Sequence, residues 1–444
     1  MKIAIIGSGI SGLTAAYYLK KNHEIFVYES SSVVGGHTAT IDVELEGQKF
    51  AVDTGFIVYN DWTYPNFIRL LKQLNVETQT TSMSFSVAND MNGLEYAGSN
   101  LSTLFAQRKN LLKPSFWRLL KDIMRFNRQS LKDLETGNIP EDLSLQQYLD
   151  NNNYSEAFTT NYLIPMGAAI WSAGVDSMLD FPLLFFVRFF KNHGLLSVTN
   201  RPQWRVIKGG SRQYLAPLIN SFLHCIKTNS KITSIARNAD AVTITTAEGD
   251  KTQYDTVIFA THSDQALALL DQPTACEQEI LQAIPYQNNE VVLHTDISRL
   301  PKSRRAWACW NYRLSADADN VADDKTNAKT SAKTSAMTEG TRQGEMTRLT
   351  YNMNLLQSID SPHTFCVSLN QTELIDPTKI LGQFNYSHPV FTVEGIKAQM
   401  RWSELAGKNR TWFCGAYWAN GFHEDGVASA LRIAEAIDGK QYSQ

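Results

Sequence analysis

The strongest constraint on this chain is a glycine-rich turn placed directly after its first strand. Lys2–Ile6 is a short, β-branched apolar run and reads as a buried strand; Gly7, Gly9 and Gly12 follow it as G-x-G-x-x-G. Leu13–Lys21 then reads as a helix, and Ile25–Tyr28 as a second strand that ends at Glu29. Each part has a physical reason. Gly7 permits the tight turn, Gly9 lets the main chain approach a pyrophosphate, and Gly12 lets helix and strand pack closely. The helix start presents free N–H groups and the positive end of its dipole. Glu29 stands where a carboxylate accepts hydrogen bonds from a ribose hydroxyl. Strand, helix, strand and acid at this spacing predict a βαβ unit with a dinucleotide site. The competing explanation is a glycine turn in an ordinary α/β unit.

Composition narrows the class further. With 444 residues, two or more domains are expected, and 43% hydrophobic residues supply a sizeable core. The net charge, 41 − 44 = −3, argues against a polyanionic partner such as nucleic acid. Five cysteines are scattered singly without a C-x-x-C pair. That pattern speaks against a disulfide framework or a zinc site, so no metal is expected and a reducing cytoplasm fits. The N-terminus enters a strand at once, which argues against a signal peptide. No apolar run is long enough to span a bilayer; Phe181–Phe190 is short and carries Pro182 and Arg188.

Past Glu29 comes a loop with Gly35, Gly36, His37 and Thr38, which is either a second contact to the pyrophosphate or a simple turn before the next strand. Phe50–Val58 reads as a strand interrupted by Gly55, and glycine inside a strand often marks close approach by a ligand.

These segments together resemble the flavin-containing amine oxidase superfamily, which also holds protoporphyrinogen oxidase and carotenoid desaturases. The matching residues are Gly7-Ser8-Gly9-Ile10-Ser11-Gly12, V-Y-E ending at Glu29, G-G-H-T at Gly35–Thr38, and D-T-G-F at Asp53–Phe56. The G-G-H-T form and D-T-G-F-I-V-Y-N look most like a bacterial group of predicted FAD-dependent oxidoreductases. The resemblance runs almost end to end and is strongest at the two termini. It implies that these segments hold FAD: the acid on the adenosine ribose, the paired glycines along the pyrophosphate, Gly55 and Phe56 beside the flavin ring. It also implies a backbone contact to adenine near Ile232 and places Ala260 and Thr261 near the cofactor.

The middle of the chain is less decided. Tyr64–Asn75 reads as a helix starting near Pro65. Residues 105–134 are rich in aromatic and basic residues, with Phe116, Leu119, Leu120 and Ile123 on one helical face and Arg118, Asp122 and Arg125 on another. A helix resting on an anionic lipid surface and a solvated face on a cap domain both account for it. Residues 161–204 are dense with Trp171, the aromatic run 181–190, His193 and Trp204, with Gly167 and Gly174 flanking Trp171. They suit an apolar cavity with few polar anchors, or plain core packing. His193, Trp171, Tyr351 and His423 are the catalytic candidates. Lys208–Tyr214 opens a helix at 215–223, at the place where the superfamily chain returns to its FAD domain. Hairpin strands at 231–235 and 241–246, a parallel strand at 255–261, and further strands at 291–295, 307–312 and 365–370 follow. Residues 316–346 are a low-complexity run of Ala, Asp, Thr, Lys and Ser without an aromatic residue, expected to be a disordered insertion.

The chain closes with a strand ending at Gly415, a loop, and a helix starting near Gly426 and Val427. A helix N-terminus there favours negative charge placed against it. The superfamily ends in the same way, with a glycine-led helix touching the flavin. Two departures count. Ala416-Tyr417 stands where many members carry an acid, and the loop 416–425 lacks the cysteine of the covalently flavinylated amine oxidases, so noncovalent FAD is expected.

The fold class expected is α/β: a Rossmann-like FAD-binding domain (1–82, 205–280 and 405–444) interleaved with an α+β substrate domain (83–204 and 281–404). The activity expected is hydride transfer from a substrate C–H to flavin N5, on an apolar or acyl-lipid small molecule and with peripheral membrane contact as a further expectation. Two alternatives stand beside it: an amine oxidase acting on a small amine or polyamine, and a flavin-binding partner protein without turnover. Fold alone does not choose between them.

Overall fold

The computed structural model describes residues 1–197, 199–314 and 347–443. The low-complexity insertion expected at 316–346 lies outside the described residues. Five parallel strands form the central sheet, in the order Ile226–Lys227, Glu24–Tyr28, Lys2–Ile6, Thr256–Phe259, Thr411–Phe413. Side-chain alternation divides the first strand between two cores. Ile3 and Ile5 pack with Leu13, Ala16, Val427 and Leu431, from the helices Ile10–Leu19 and His423–Asp438. Ala4 and Ile6 pack on the opposite face with Ile232, Val242 and Ile244. These come from a three-stranded antiparallel layer, Ile232–Arg237, Val242–Thr246 and Lys251–Tyr254. A strand covered on both faces must be apolar at every position, which is why this segment reads as a continuous run rather than an alternation. Full burial of each such isoleucine is worth roughly 1.5–3 kcal/mol.

The second sheet has seven strands, in the order Ile380–Pro389, Tyr286–His294, Cys366–Leu369, Leu349–Asn352, Trp310–Leu314, Phe85–Asn89, Leu94–Ala97. All pairings are antiparallel except Trp310–Leu314 with Phe85–Asn89. Three of its members, Tyr286–His294, Trp310–Leu314 and Cys366–Leu369, were legible from apolar patterning. The long edge strand at 380–389 was not, because ILGQFNYSHP is half exposed along its length and alternates poorly. A helical layer covers one side, built from Pro114–Glu135, Leu145–Asn151, Ile164–Trp171 and Leu183–Asn192. Among the described residues, no helix is long and apolar enough to cross a membrane.

Two helix boundaries and one helix face differ from expectation. The first helix starts at Ile10, inside the glycine motif, with Gly9 as its N-cap. The last helix starts at His423 rather than near Gly426, because Asp425 turns back to accept the Phe422 N–H at 2.9 Å and closes the first turn. On the helix Pro114–Glu135, Asp122 does not share the solvent face of Arg118; it is buried, accepting the Ser155 N–H at 3.1 Å and pairing with Arg125 at 3.3 Å. A buried carboxylate is tolerated there because those donors satisfy it. The part built on the five-stranded sheet is the first lobe and the part built on the seven-stranded sheet the second; the chain leaves and re-enters the first side by side, where Thr81 pairs with Trp204 in a small sheet of Val58–Asn60, Trp204–Ile207 and Thr78–Thr81.

The tightest constraint in the first lobe is at Gly12, where a Cβ would lie 2.1 Å from the Gly7 carbonyl oxygen and 3.0 Å from the Ala260 Cβ. Gly9 has nothing within 4 Å of the same added atom. Gly12→Ala should therefore destabilise the protein by about 3 kcal/mol or more, and Gly9→Ala should change stability little. Urea unfolding of the two variants checks this; equal losses would contradict the packing described.

Candidate cofactor and substrate site

The site is assembled from main-chain turns brought within van der Waals contact. Gly7 takes φ +103°, and a Cβ on it would meet the Ala260 carbonyl oxygen at 2.7 Å. A Cβ on Gly426 would meet Ile10 Cγ2 and Ser11 Oγ at 2.9 Å. Gly35 forms a parallel bridge with Gly9, and the Gly35 N–H donates to the Ser8 carbonyl at 3.1 Å. The Glu29 carboxylate accepts the Ser8 N–H at 3.1 Å, the Ser8 hydroxyl at 2.6 Å and the Ser31 N–H at 2.8 Å. Ser230, two residues before Ile232, donates its N–H to the Glu29 carbonyl at 2.8 Å. Residues 7–12, 29, 35–38, 260–261 and 426–427, separated by hundreds of positions in sequence, thus share one locus. The face of Gly9 stays open within it.

Gly55 sits differently from the sequence reading. The strand Gln48–Asp53 ends before it, and what crowds it is the His37 main chain, whose carbonyl oxygen would lie 2.2 Å from an added Cβ. The Phe56 N–H donates to that same carbonyl at 2.8 Å. The last strand ends at Phe413, before Gly415, and a Cβ on Gly415 would lie 2.3 Å from the ring of Tyr417.

Two polar clusters surround this locus. His423 Nε2 lies 3.0 Å from the Tyr214 hydroxyl and 3.2 Å from the Thr38 hydroxyl, which contact each other. The His423 ring stacks on Phe56 at 3.5 Å, and burial holds its pKa well below the usual imidazole range. On the other side His37 faces Tyr386 at 5.1 Å, His388 at 5.7 Å and His262 at 6.1 Å. Burial, then the two neighbouring imidazoles, hold His37 down to about 3, and its buried Nε2 has no partner. Tyr386 and His388 stand two apart on the strand Ile380–Pro389, His262 caps the helix Ser263–Leu269, and none of the three carried a local signal.

Asp53 is the second hub. It is fully buried and accepts hydrogen bonds from the Ser211 N–H, the Ser211 hydroxyl, the Thr40 hydroxyl at 2.6 Å and the Gln357 amide at 2.9 Å. It thereby ties the strand Gln48–Asp53 to the returning turn at 210–211 and to the helix Met353–Gln357 of the second lobe.

Beyond the start of the last helix lies a cavity of about 460 Å³, lined by Trp62, Tyr64, Phe189, His193, Phe422, Asn420, Glu424 and Asp425 among others. An aromatic wall continues from it: Phe422 stacks on Phe189 at 5.4 Å, Phe189 meets Trp171 at 4.7 Å, and Phe391 stacks on Phe185 at 5.1 Å. His193 stacks on Phe189 at 3.8 Å, with Nδ1 3.0 Å from the Phe189 carbonyl and Nε2 3.2 Å from the Thr63 hydroxyl. Burial holds its pKa down to about 4, so it is neutral. Burial raises Asp425 to about 7 and raises Glu424. Glu424 accepts from Asn66 and Phe67 N–H groups and from the Asn66 amide at 2.7 Å. Of the four catalytic candidates, Trp171 and His193 meet at Phe189, and His423 lies behind Phe422. Tyr351 packs instead on Trp310 at 5.1 Å. Phe391 and Phe422 complete the wall without having stood out in the sequence.

A parallel sheet whose first turn converges with two other strand ends and a helix start defines the dinucleotide-binding oxidoreductase class of fold. Within it, residues 10–295 match the family described as flavin containing amine oxidoreductase, and the chain belongs to that family. It is 36% identical to a 15-cis-phytoene desaturase of Synechococcus elongatus over 88 residues, 20% of this chain and 18% of that protein. The chain thus matches less than a fifth of that curated relative's length. Whole-chain similarity is to solved structures. A putrescine oxidase bound to putrescine aligns at TM-score 0.64 with 15% identity, covering 99% of this chain and 100% of that one. A CLA-producing fatty acid isomerase from P. acnes aligns at TM-score 0.64 with 15% identity, covering 98% of each. These likenesses establish the fold, a Rossmann-like cofactor-binding domain joined to a substrate domain.

The Asp53 hub makes a pH prediction. Burial raises its pKa from 3.8 to about 6, so the native state holds the proton more tightly than the unfolded chain. Its contribution to stability is present below about pH 4 and is lost as pH rises through about 6, on the order of 3 kcal/mol. Asp53→Asn should remove that slope. Urea unfolding of both proteins between pH 4 and 7 measures it; parallel curves would contradict the assignment.

Proposed function

We propose that this protein is an FAD-dependent oxidoreductase that holds its cofactor noncovalently and removes a hydride from a C–H of an apolar or acyl-lipid substrate. Three observations support a fit to FAD. The open face at Gly9 is a cradle that a side chain would fill. His37 Nε2, buried and unpartnered beside the second glycine pair, is available to a phosphate oxygen. The helix His423–Asp438 directs its N-terminus to the same locus. In this reading Gly7–Gly12 and Gly35–Thr38 hold the pyrophosphate, Glu29 the ribose, and the main chain near Ile232 the adenine. Ala260, Thr261, Gly55, Phe56, Gly415, Gly426 and Val427 border the ring system. When bound, FAD supplies the hydride acceptor, its N5 atom. The protein positions substrate against it and excludes water through Phe189, Phe391 and Phe422. Noncovalent attachment is supported by Cys414, which burial pushes up to about 12, so that it carries no thiolate for attack on the ring. The segments 1–82, 205–280 and 405–444 then serve as the FAD domain and the rest as the substrate domain.

One observation carries the choice of an apolar substrate: the aromatic wall offers no free charge. His193 is neutral, and Glu424 and Asp425 are occupied by donors of their own chain. Two of the proteins that this chain resembles are named for apolar molecules, phytoene and a fatty acid. The amine reading retains one observation in its favour, since Glu424 and Asp425 border the same cavity.

Purified protein should be yellow, and acid precipitation should release FAD into the supernatant; flavin in the pellet would contradict noncovalent binding. Gly9→Val should fold but carry less than a tenth of the flavin, which absorbance at the flavin band against protein reports. Anaerobic mixing should bleach the flavin with acyl lipids or carotenoid precursors and not with putrescine or other amines. Bleaching by amines alone would replace the apolar reading by the amine reading.

A further inference from the structure

The surface of the substrate lobe carries a hook of exposed apolar side chains. It consists of the short helix Leu101–Leu104, the turn Arg108–Leu112 and the start of the helix Pro114–Glu135. Leu112 is 87% exposed, Leu101 75%, Trp117 50% and Leu111 43%. Single exposed leucines are ordinary, but four large apolar groups on one hook mark an interaction site. They are contiguous. Trp117 Nε1–H donates to the Leu111 carbonyl at 2.8 Å, and its ring lies 5.7 Å from that of Phe105. Phe105 N–H donates to the Leu101 carbonyl at 3.1 Å. Beneath them Phe105 and Phe116 are buried and packed at 5.7 Å, so the hook stands on a rigid base. Phe116, expected at the sequence level to share the contact, thus belongs to the core.

The charges around the hook have one sign. Residues 101–121 include Arg108, Lys109, Lys113, Arg118 and Lys121 and no Asp or Glu. None of these five forms an ion pair among the described residues. We propose that this hook seats on an anionic phospholipid bilayer, with Leu101, Leu111, Leu112 and Trp117 entering the headgroup boundary and the basic side chains on lipid phosphates. A net charge of −3 does not oppose this, since charges beyond about 8–10 Å are screened at physiological salt. A second copy of the chain would bring like charges face to face, which disfavours a symmetric dimer through this patch. The proposal rests on the apolar-substrate reading in one respect. Phe126, on the hook's long helix, packs at 6.4 Å on Phe186, from the helix that supplies Phe185 and Phe189 to the aromatic wall.

The test is co-sedimentation of the flavin-loaded protein with vesicles of phosphatidylcholine alone or mixed with phosphatidylglycerol. Pelleting is expected with the mixed vesicles at low salt, and weaker pelleting at about 1 M salt, where screening shortens to about 3 Å. Arg108→Gln/Lys109→Gln/Lys121→Gln should lower partitioning on the order of 100-fold, about fivefold per charge. Leu101→Ser/Leu112→Ser should lower it at least tenfold, on the order of the transfer free energy of two leucines. Both variants alter exposed side chains, and unchanged flavin content and melting temperature verify their folding. Absence of pelleting at low salt overturns the proposal, as does pelleting that neither variant weakens. A vesicle-free dimer that Leu112→Ser dissolves would identify the hook as a self-interface and also overturn it. Vesicle binding does not depend on turnover, so failure of every apolar substrate to bleach the flavin is a separate result.

Discussion

Everything in the first lobe depends on main chain meeting main chain. Gly12 packs against the Gly7 carbonyl and Gly7 against the Ala260 carbonyl, each closer than a side chain permits, and Gly426 lies against the side chains of Ile10 and Ser11. Backbone approach of this kind fixes the relative heights of the first strand, the strand Thr256–Phe259 and the last helix at once. The two apolar cores on either side of the sheet then fill in around that spacing, at native packing density. The same contacts leave the Gly9 face open, so the tightest point of the turn and its open face are neighbours.

Buried charge is organised with equal economy. Asp53 is satisfied by four different groups from three separate segments, and its removal from water raises its pKa rather than leaving an orphaned anion. Arg237 and Glu277 form a buried pair that joins the outer antiparallel layer to the helix Ala275–Gln282. At the cavity, Glu424 caps the helix Pro65–Gln73 through Phe67, and Asp425 caps its own helix. The carboxylates that border the cavity are therefore structural groups.

The parts of the site that could be read in the sequence are those encoded by local main-chain demands. Gly7, Gly9, Gly12 and Glu29 lie within 30 residues and describe one turn, so their relation survives without tertiary information. The parts that could not be read are assembled by long-range contact. The imidazole group joins His37 from a turn, His262 from a helix N-cap and His388 from a strand, and Phe391 joins Trp171 and Phe185 across more than 200 positions. Asp122 was misplaced for a related reason. Helical periodicity assigns a face, but whether a carboxylate on that face is buried depends on a donor 33 residues away, Ser155.

Sequence by itself determined the βαβ entry, the apolar buried strand and the basic, aromatic stretch at 105–134, each a pattern within one short window, and the family resemblance, carried by several such motifs along the chain. Tertiary structure alone decided which side chains face which. It took Phe116 into the core and left Leu112 and Trp117 outside, gave His423 to Phe56 and Tyr214 rather than to the cavity, and occupied Glu424 with main-chain donors. The physical reason is that local pattern sets periodicity and conformational freedom, whereas burial, hydrogen-bond satisfaction and pKa depend on partners that only the packed chain brings near.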